Sequence, residues 1–241
     1  MAPDTASVPM IEISDLGFGW NGHEPLLAIE NVRIERGERV FVEGPSGSGK
    51  STLLSLIAGV LTPQAGSIRV SGMQVSSLNG AHKDRFRADH IGIIYQMFNL
   101  LPYLSIIENV TLPCRFSASR RSRAAAHSGS FEAEAVRLLK ELGLDDMALL
   151  RRAATELSVG QQQRVAAARA LIGSPEIIMA DEPTSSLDMD RRKAFIELLF
   201  KETTRERTTL IFVSHDSSLE SLFDRAIRLA EINSIKQAVL N

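Results

Sequence analysis

Cysteine occurs once in 241 residues, at Cys114, so no intramolecular disulfide can staple the chain and a reduced compartment suits it. The five His are scattered without close metal-ligand spacing, which argues against a zinc-type centre. No run of 18 apolar residues occurs, and "MAPDTASVPM" lacks the basic start and apolar core of a signal peptide. A soluble, cytoplasmic chain is expected. Charge of one sign is also missing: 27 basic against 29 acidic residues leave a formal charge of −2, so there is no global basic field to attract nucleic acid, and no nucleic-acid partner is expected. "LPC" at 112–114 hints at a lipid-attachment box, but it lies mid-chain, and Cys114 is assigned no role.

The length suits one large domain carrying an inserted lobe. Alternating apolar residues in "MIEISDLGF" and "LLAIENVRI", and the run Val40 to Val42, read as strands, the last one buried. A helix over Thr52 to Leu61 stops before Pro63, and "GSIRVSGMQV" reads as a hairpin. From about 100 to 172 helical periodicity dominates. Ala135, Leu138, Leu139 and Leu142 line one helix face that ends at Gly143, and the helix after Leu157 stops at Gly173 and Pro175. The segment "RFSASRRSRAAAHSGS", 115–130, rich in Arg, Ser and Ala, is expected to be a mobile, solvated connector. The chain then alternates again: strand "EIIMA", a helix near Arg191 to Glu202, strand "TLIFVS". Strands, then helices, then strand–helix–strand imply a parallel α/β core with a helical lobe inserted in it.

"GPSGSGKST", comprising Gly44, Pro45, Ser46, Gly47, Ser48, Gly49, Lys50, Ser51 and Thr52, matches G-x-x-x-x-G-K-[ST] between a predicted buried strand and a predicted helix. In that setting the glycines let backbone N–H groups close around phosphates. Lys50 reaches the outer phosphates and the Ser51 hydroxyl ligates Mg²⁺. A dinucleotide fold would need G-x-G-x-x-G, but Gly47-Ser48-Gly49 is followed by Lys50, Ser51 and Thr52. "IIMADEP" puts Asp181 and Glu182 at the end of an apolar strand, the first suited to hold Mg²⁺ and the second to polarise a water. In "LSVGQQQRVAAARAL", Ser158 is a good N-cap and Gln161 completes a capping box, leaving Val159 and Gly160 where unpaired N–H groups favour an anion. Nothing near that helix start in the sequence supplies one.

The P-loop, "LSVGQ", "IIMADEPTSSLD" and "FVSHD" stand in the order and spacing of the ATP-binding-cassette ATPases, and the chain resembles that family from about Ile11 to Arg228. The resemblance implies a P-loop NTPase with a RecA-like parallel core, an N-terminal antiparallel β subdomain and an inserted helical subdomain. It makes 1–241 a single cassette, with about 1–95 and 173–241 forming the nucleotide core and about 96–172 the signature subdomain. It further implies ATP and Mg²⁺ as cofactors, hydrolysis of ATP, and head-to-tail pairing with a second copy whose nucleotide the Ser158, Val159, Gly160 and Gln161 helix start caps. By the same resemblance Gln96 senses Mg²⁺ and the attacking water, Asp188 lies at the dimer seam, His215 stands near the γ-phosphate, and Trp20 stacks on adenine. The departure is Val159, where the family pattern has a glycine.

"QMFNLLPYLSIIENV" and the Ala before the carboxylates look most like the lipoprotein-releasing and macrolide-efflux group. That implies a separate permease, FtsX/MacB-like, at the cytoplasmic face of the inner membrane. Polar amino-acid importers share a similar "FNL-P" stretch and remain the alternative. Soluble DNA-repair and translation cassettes fit less well: the stretch from Gln96 to Ser158 is too short for a long coiled coil, and there is one P-loop. No N-K-x-D motif supports a GTPase. Of the apolar residues after Gln96, Leu101 and Leu104 suit the lobe's core, while Met97, Phe98 and Leu100 are expected to form a groove for a short permease helix.

Overall fold

In β3 (Arg39–Glu43) Val40 and Val42 face one core and Phe41 faces another, the period of two that a strand covered on both sides requires. The same alternation recurs in β7 (Ile177–Asp181) and β8 (Thr209–Ser214), with Met179 and Ile211 on the first side and Ile178 and Phe212 on the second. The computed structural model describes residues 8–21, 24–146, 150, 152–185 and 187–235. These strands, with β6 (Ile91–Ile94) and β9 (Arg225–Arg228), form a parallel sheet in the order β6-β7-β8-β3-β9. The first core lies between this sheet and an antiparallel one of order β2-β1-β4-β5, built from β1 (Ile11–Gly19), β2 (Pro25–Ile34), β4 (Ala65–Val70) and β5 (Met73–Gln74). The expected strands and hairpin are present, and the helix expected from Thr52 is α1 (Lys50–Ile57). The helix before β6, α2 (Gly80–His90), has no counterpart in the sequence reading because Phe86 is its only buried side chain, too little to make a period.

Between β6 and β7, adjacent in the sheet, the chain leaves to build, among the described residues, four α-helices: α3 (Ile106–Phe116), α4 (Ala118–Ser128), α5 (Phe131–Glu141) and α6 (Val159–Leu171). Buried Val110, Leu138, Leu139, Val165 and Ala166 pack them into the second core, under α7 (Met189–Glu206). Leu142 is buried and Gly143 has a φ of 75°, which ends α5 as its sequence foretells. Among the described residues no helix is long and apolar enough to cross a membrane.

The expectation of a mobile connector over 115–130 is overturned. Ser117 caps α4, accepting from the Arg120 N–H at 3.0 Å, and the Arg120 side chain is driven into the protein, 2% exposed. Its guanidinium donates to the carbonyls of Ala170 (2.7 Å), Ile172 (2.6 Å and 2.8 Å) and Ile91 (3.2 Å), and Arg123 donates to Gly173 O at 2.7 Å. Apart from Ile91 O at the start of β6, the acceptors are carbonyls at and just past the end of α6, where the dipole also favours a cation. Burial without a carboxylate partner pushes Arg120 down to about 10, and it stays charged at neutral pH. Arg and Ser content read as solvation in sequence. The acceptors that bury Arg120 come from 29 to 52 residues away.

Candidate functional site

β3 and α1 are joined by the loop 44–49, and its geometry depends on small residues. A Cβ on Gly44 would lie 2.6 Å from Ser48 Oγ, and Gly49, the N-cap of α1, has a φ of 100°. Lys50 is 6% exposed and folds back, donating from Nζ to Gly44 O (2.6 Å) and Pro45 O (2.9 Å). Its ammonium also lies 3.8 Å from Glu182 Oε1. The Ser48 hydroxyl is buried with no partner. An ammonium held across the loop mouth and a run of N–H groups at a helix start form a cradle for phosphate.

Asp181 and Glu182 leave the end of β7 in different directions. Asp181 is hydrogen-bonded to the Ser51 hydroxyl; burial, with the Glu182 charge adding to it, holds its carboxyl above the usual range despite that bond and the Lys50 charge. A cation beside it would relieve the penalty. Two hard oxygen donors side by side fit magnesium, which commonly takes one or two protein oxygens and completes its shell from substrate phosphate and water. Glu182 adopts a φ of 46°, uncommon for a residue with a side chain, while its N–H donates to Val213 O at 2.9 Å. The turn aims its carboxylate between Lys50 and His215, whose Nδ1 is 2.9 Å from Glu182 Oε2. A carboxylate only accepts, so in this contact Nδ1 of His215 carries a proton.

A cleft of about 400 Å³ is lined by Trp20, Leu26, the P-loop, Gln96, Asp181 and Glu182. Trp20 is half exposed and meets Phe18 edge-on, with centroids 5.3 Å apart. The structure therefore gathers the P-loop, Trp20, Gln96, Asp181, Glu182 and His215 in one place. It does not bring Ser158, Val159, Gly160, Gln161 or Asp188 to that cleft. The capping box forms as expected: Ser158 Oγ accepts from Gln161 N–H at 3.4 Å, and Gln161 Oε1 accepts from Ser158 N–H at 2.9 Å. Val159 is 50% exposed, and a Cβ on Gly160 would meet nothing within 4 Å, so this helix start is an open surface. Asp188 is exposed too and caps α7, accepting from Arg191 N–H at 2.9 Å.

The expected groove from Met97, Phe98 and Leu100 is corrected. Phe98 is 7% exposed in the second core with Leu100 packed against that core, and Met97 stands out in solvent. A positive φ at Phe98 (59°) and Asn99 (49°) turns the loop, which no apolar pattern announces. Beside it a groove of about 650 Å³ does exist, lined by Tyr95, Asn99, Phe116, Arg85, Arg87 and Arg169 among others. Two positioning residues were not anticipated. Arg169 donates to Phe98 O and Asn99 O, tying α6 to the loop after Gln96. Arg192 donates to Leu187 O and pairs with Asp216, tying the Asp188 loop to the strand end that carries His215. Arg192 lies outside the quoted motifs and Arg169 stands at the far end of the signature helix, so only spatial proximity identifies their roles.

The family model of the ABC transporter matches residues 28–185. The lipoprotein-releasing system ATP-binding protein LolD of Syntrophotalea carbinolica is 39% identical over 206 residues, covering 86% of this chain and 87% of that protein. The protein named "Uncharacterized ABC transporter ATP-binding protein YbbA" in Escherichia coli K12 is 39% identical over 216 residues, covering 89% of this chain and 90% of its own. Among solved structures, the dimeric post-hydrolysis ATP-binding cassette MJ0796 bound to ADP and Pi superposes with a TM-score of 0.77 at 32% identity, covering 96% of this chain and 100% of that one.

Proposed function

The chain belongs to the ABC transporter family as its ATP-hydrolysing subunit, and on that premise we propose that two copies pair head to tail around two ATP molecules and drive a separate membrane permease. The observation that carries this reading is the separation of two phosphate-ready sites. One is the P-loop cleft; the other is the exposed, capped start of α6, which lies outside it. Pairing supplies the anion that the second site lacks. In this reading 1–95 with 173–241 act as the nucleotide core, and 96–172 as the lobe that presents the signature to the partner copy.

Lys50 turns from the carbonyls of Gly44 and Pro45 to the outer phosphates, and the P-loop N–H groups hold the rest of the chain of phosphates. Ser51 and Asp181, with Gln96 at the cleft wall, are the residues that would hold Mg²⁺, which neutralises charge on the phosphates when bound. Glu182 accepts a hydrogen bond from the attacking water, and His215 holds its carboxylate in the left-handed turn at the strand end. Trp20 stacks on the base.

The permease is of the mechanically coupled kind that lipoprotein-releasing and macrolide-efflux cassettes serve, FtsX/MacB-like, which sets the chain at the cytoplasmic face of the inner membrane. The LolD relatives support that branch. The groove beside the Gln96 loop, with exposed Phe116 and Tyr95 at its apolar wall, receives a short cytoplasmic helix of the permease. Sedimentation of Glu182→Gln with MgATP tests the pairing: a dimer is expected, and a persistent monomer overturns it. Reconstitution with a four-helix permease that carries a large periplasmic domain tests the branch, with stimulated ATPase expected and no stimulation counting against it.

A further inference from the structure

Gly19, the last residue of β1, lies where both of its neighbours fail it as strand partners. On one side it faces Pro25, at the irregular end of the β1–β2 pairing. On the other, Gly17 pairs with Ala65, and extending that register by two places Gly19 opposite Pro63. Proline has no N–H to give. Gly19 is buried, so its own N–H and C=O need partners. Both come from a single side chain: Gly19 N–H donates to Gln64 Oε1 at 2.9 Å, and Gln64 Nε2 donates to Gly19 O at 3.0 Å. Gln64 is anchored in turn by its backbone N–H, which donates to Gly17 O at 2.8 Å. Its amide thus stands in for a strand residue that Pro63 cannot provide.

The next residue is Trp20. With Leu26 it forms part of the wall of two clefts, the phosphate cleft and a broader one of about 1070 Å³ that also includes Phe18, Leu61 and Gln64. Half exposed, Trp20 has among the described residues one aromatic contact, the edge-on meeting with Phe18, and it follows Gly19 directly, so the Gly19 backbone sets where it starts. We propose that Gln64 is the positioning residue for the nucleotide base: its side-chain amide fixes Gly19 and thereby sets the Trp20 ring over the mouth of the phosphate cleft. This rests on the reading that Trp20 stacks on the base. The chain of cause runs Gln64 to Gly19 to Trp20 to base, and it bypasses the phosphates, which are held by residues 44–52.

Gln64→Leu leaves an apolar side chain one atom shorter and removes both hydrogen bonds. Binding of MgADP and of inorganic tripolyphosphate to the purified protein, together with the emission of Trp20, the chain's single Trp, reads the effect. Expected are a red-shifted emission and MgADP binding weaker by roughly three- to tenfold, the range of a lost aromatic contact, with tripolyphosphate binding unchanged. In steady state the KM for ATP rises while kcat holds. Unchanged emission and MgADP affinity overturn the proposal, and so does an equal loss for MgADP and tripolyphosphate. Gln64→Asn, one methylene short of Gly19, is expected to give the same split and decides the matter should Gln64→Leu lose its fold. Trp20→Leu separates the two layers: if it weakens MgADP while Gln64→Leu does not, Gln64 alone fails, and if it leaves MgADP binding intact, the base reading itself falls.

Discussion

The Nδ1 atom of His215 stands 2.9 Å from Oε2 of Glu182, across a strand-end turn that holds Glu182 at a φ of 46°. In the proposed mechanism the two side chains act as one unit on the attacking water. Glu182→Gln is expected to lower ATP turnover about 10²-fold or more, as loss of general-base help does. On that proposal His215 works through Glu182, so adding His215→Ala to that variant is expected to lower turnover little further. ATPase rates of the single and double variants check this, and additive losses would separate the pair.

Asp181 carries a stability penalty with a definite sign. Its folded pKa is raised, first by burial and then by Glu182, so the native state keeps its proton to higher pH than the unfolded chain. That contribution is fully present below the ordinary carboxylate value of about 4 and is lost as pH rises through the raised value. Asp181→Asn is therefore expected to melt higher than the natural chain at neutral pH without nucleotide, with the gap closing in acid. The same variant binds MgATP more weakly. Thermal melts across pH, with and without MgATP, test both halves, and a gap that widens in acid contradicts the assignment.

Arg120 is the interior fastening of the helical lobe. Arg120→Ala strands the carbonyls of Ala170, Ile172 and Ile91 and is expected to cost roughly 3 kcal/mol of stability. Arg121→Ala, at an exposed neighbour, stays within about 0.5 kcal/mol. Urea unfolding of the two variants makes the comparison. Equal, small effects would return the segment to a solvated connector.

Phe98 and Phe116 answer oppositely to truncation. Phe98→Ala empties a core site and is expected to destabilise by about 3–5 kcal/mol. Phe116, 69% exposed at the groove, can become Ala with no loss of melting temperature while co-purification with the permease falls. Melting curves and co-purification read the pair. A stable Phe98→Ala protein would reopen the groove to that residue.

Val159 occupies the first position of α6, where ordinary helical angles suffice and its side chain lies 50% exposed. Val159→Gly is expected to change ATPase by less than about threefold, roughly 0.7 kcal/mol on the transition-state scale. Ser158→Arg, which puts a bulky group at the proposed seam and removes the cap, abolishes ATP-driven pairing in light scattering. A hundredfold gain from Val159→Gly would mark the natural signature as degenerate.

The parts of this protein that depend on neighbours in sequence were legible from it. The strand–loop–helix of 39–57, the capping box of Ser158 and Gln161 and the alternating strands each arise from residues within a few positions of one another, where sterics and local hydrogen bonds decide. Tertiary structure decided what depends on partners far along the chain. A run of Arg and Ser looks solvated until the end of α6 offers its carbonyls to Arg120. Phe98 looks like a surface anchor until a left-handed turn sends it inward. Gln64 and Gly19, 45 residues apart, meet because a proline leaves a strand edge unpaired. A buried backbone group must be satisfied by whatever the fold brings to it, and sequence order does not say which side chain that is.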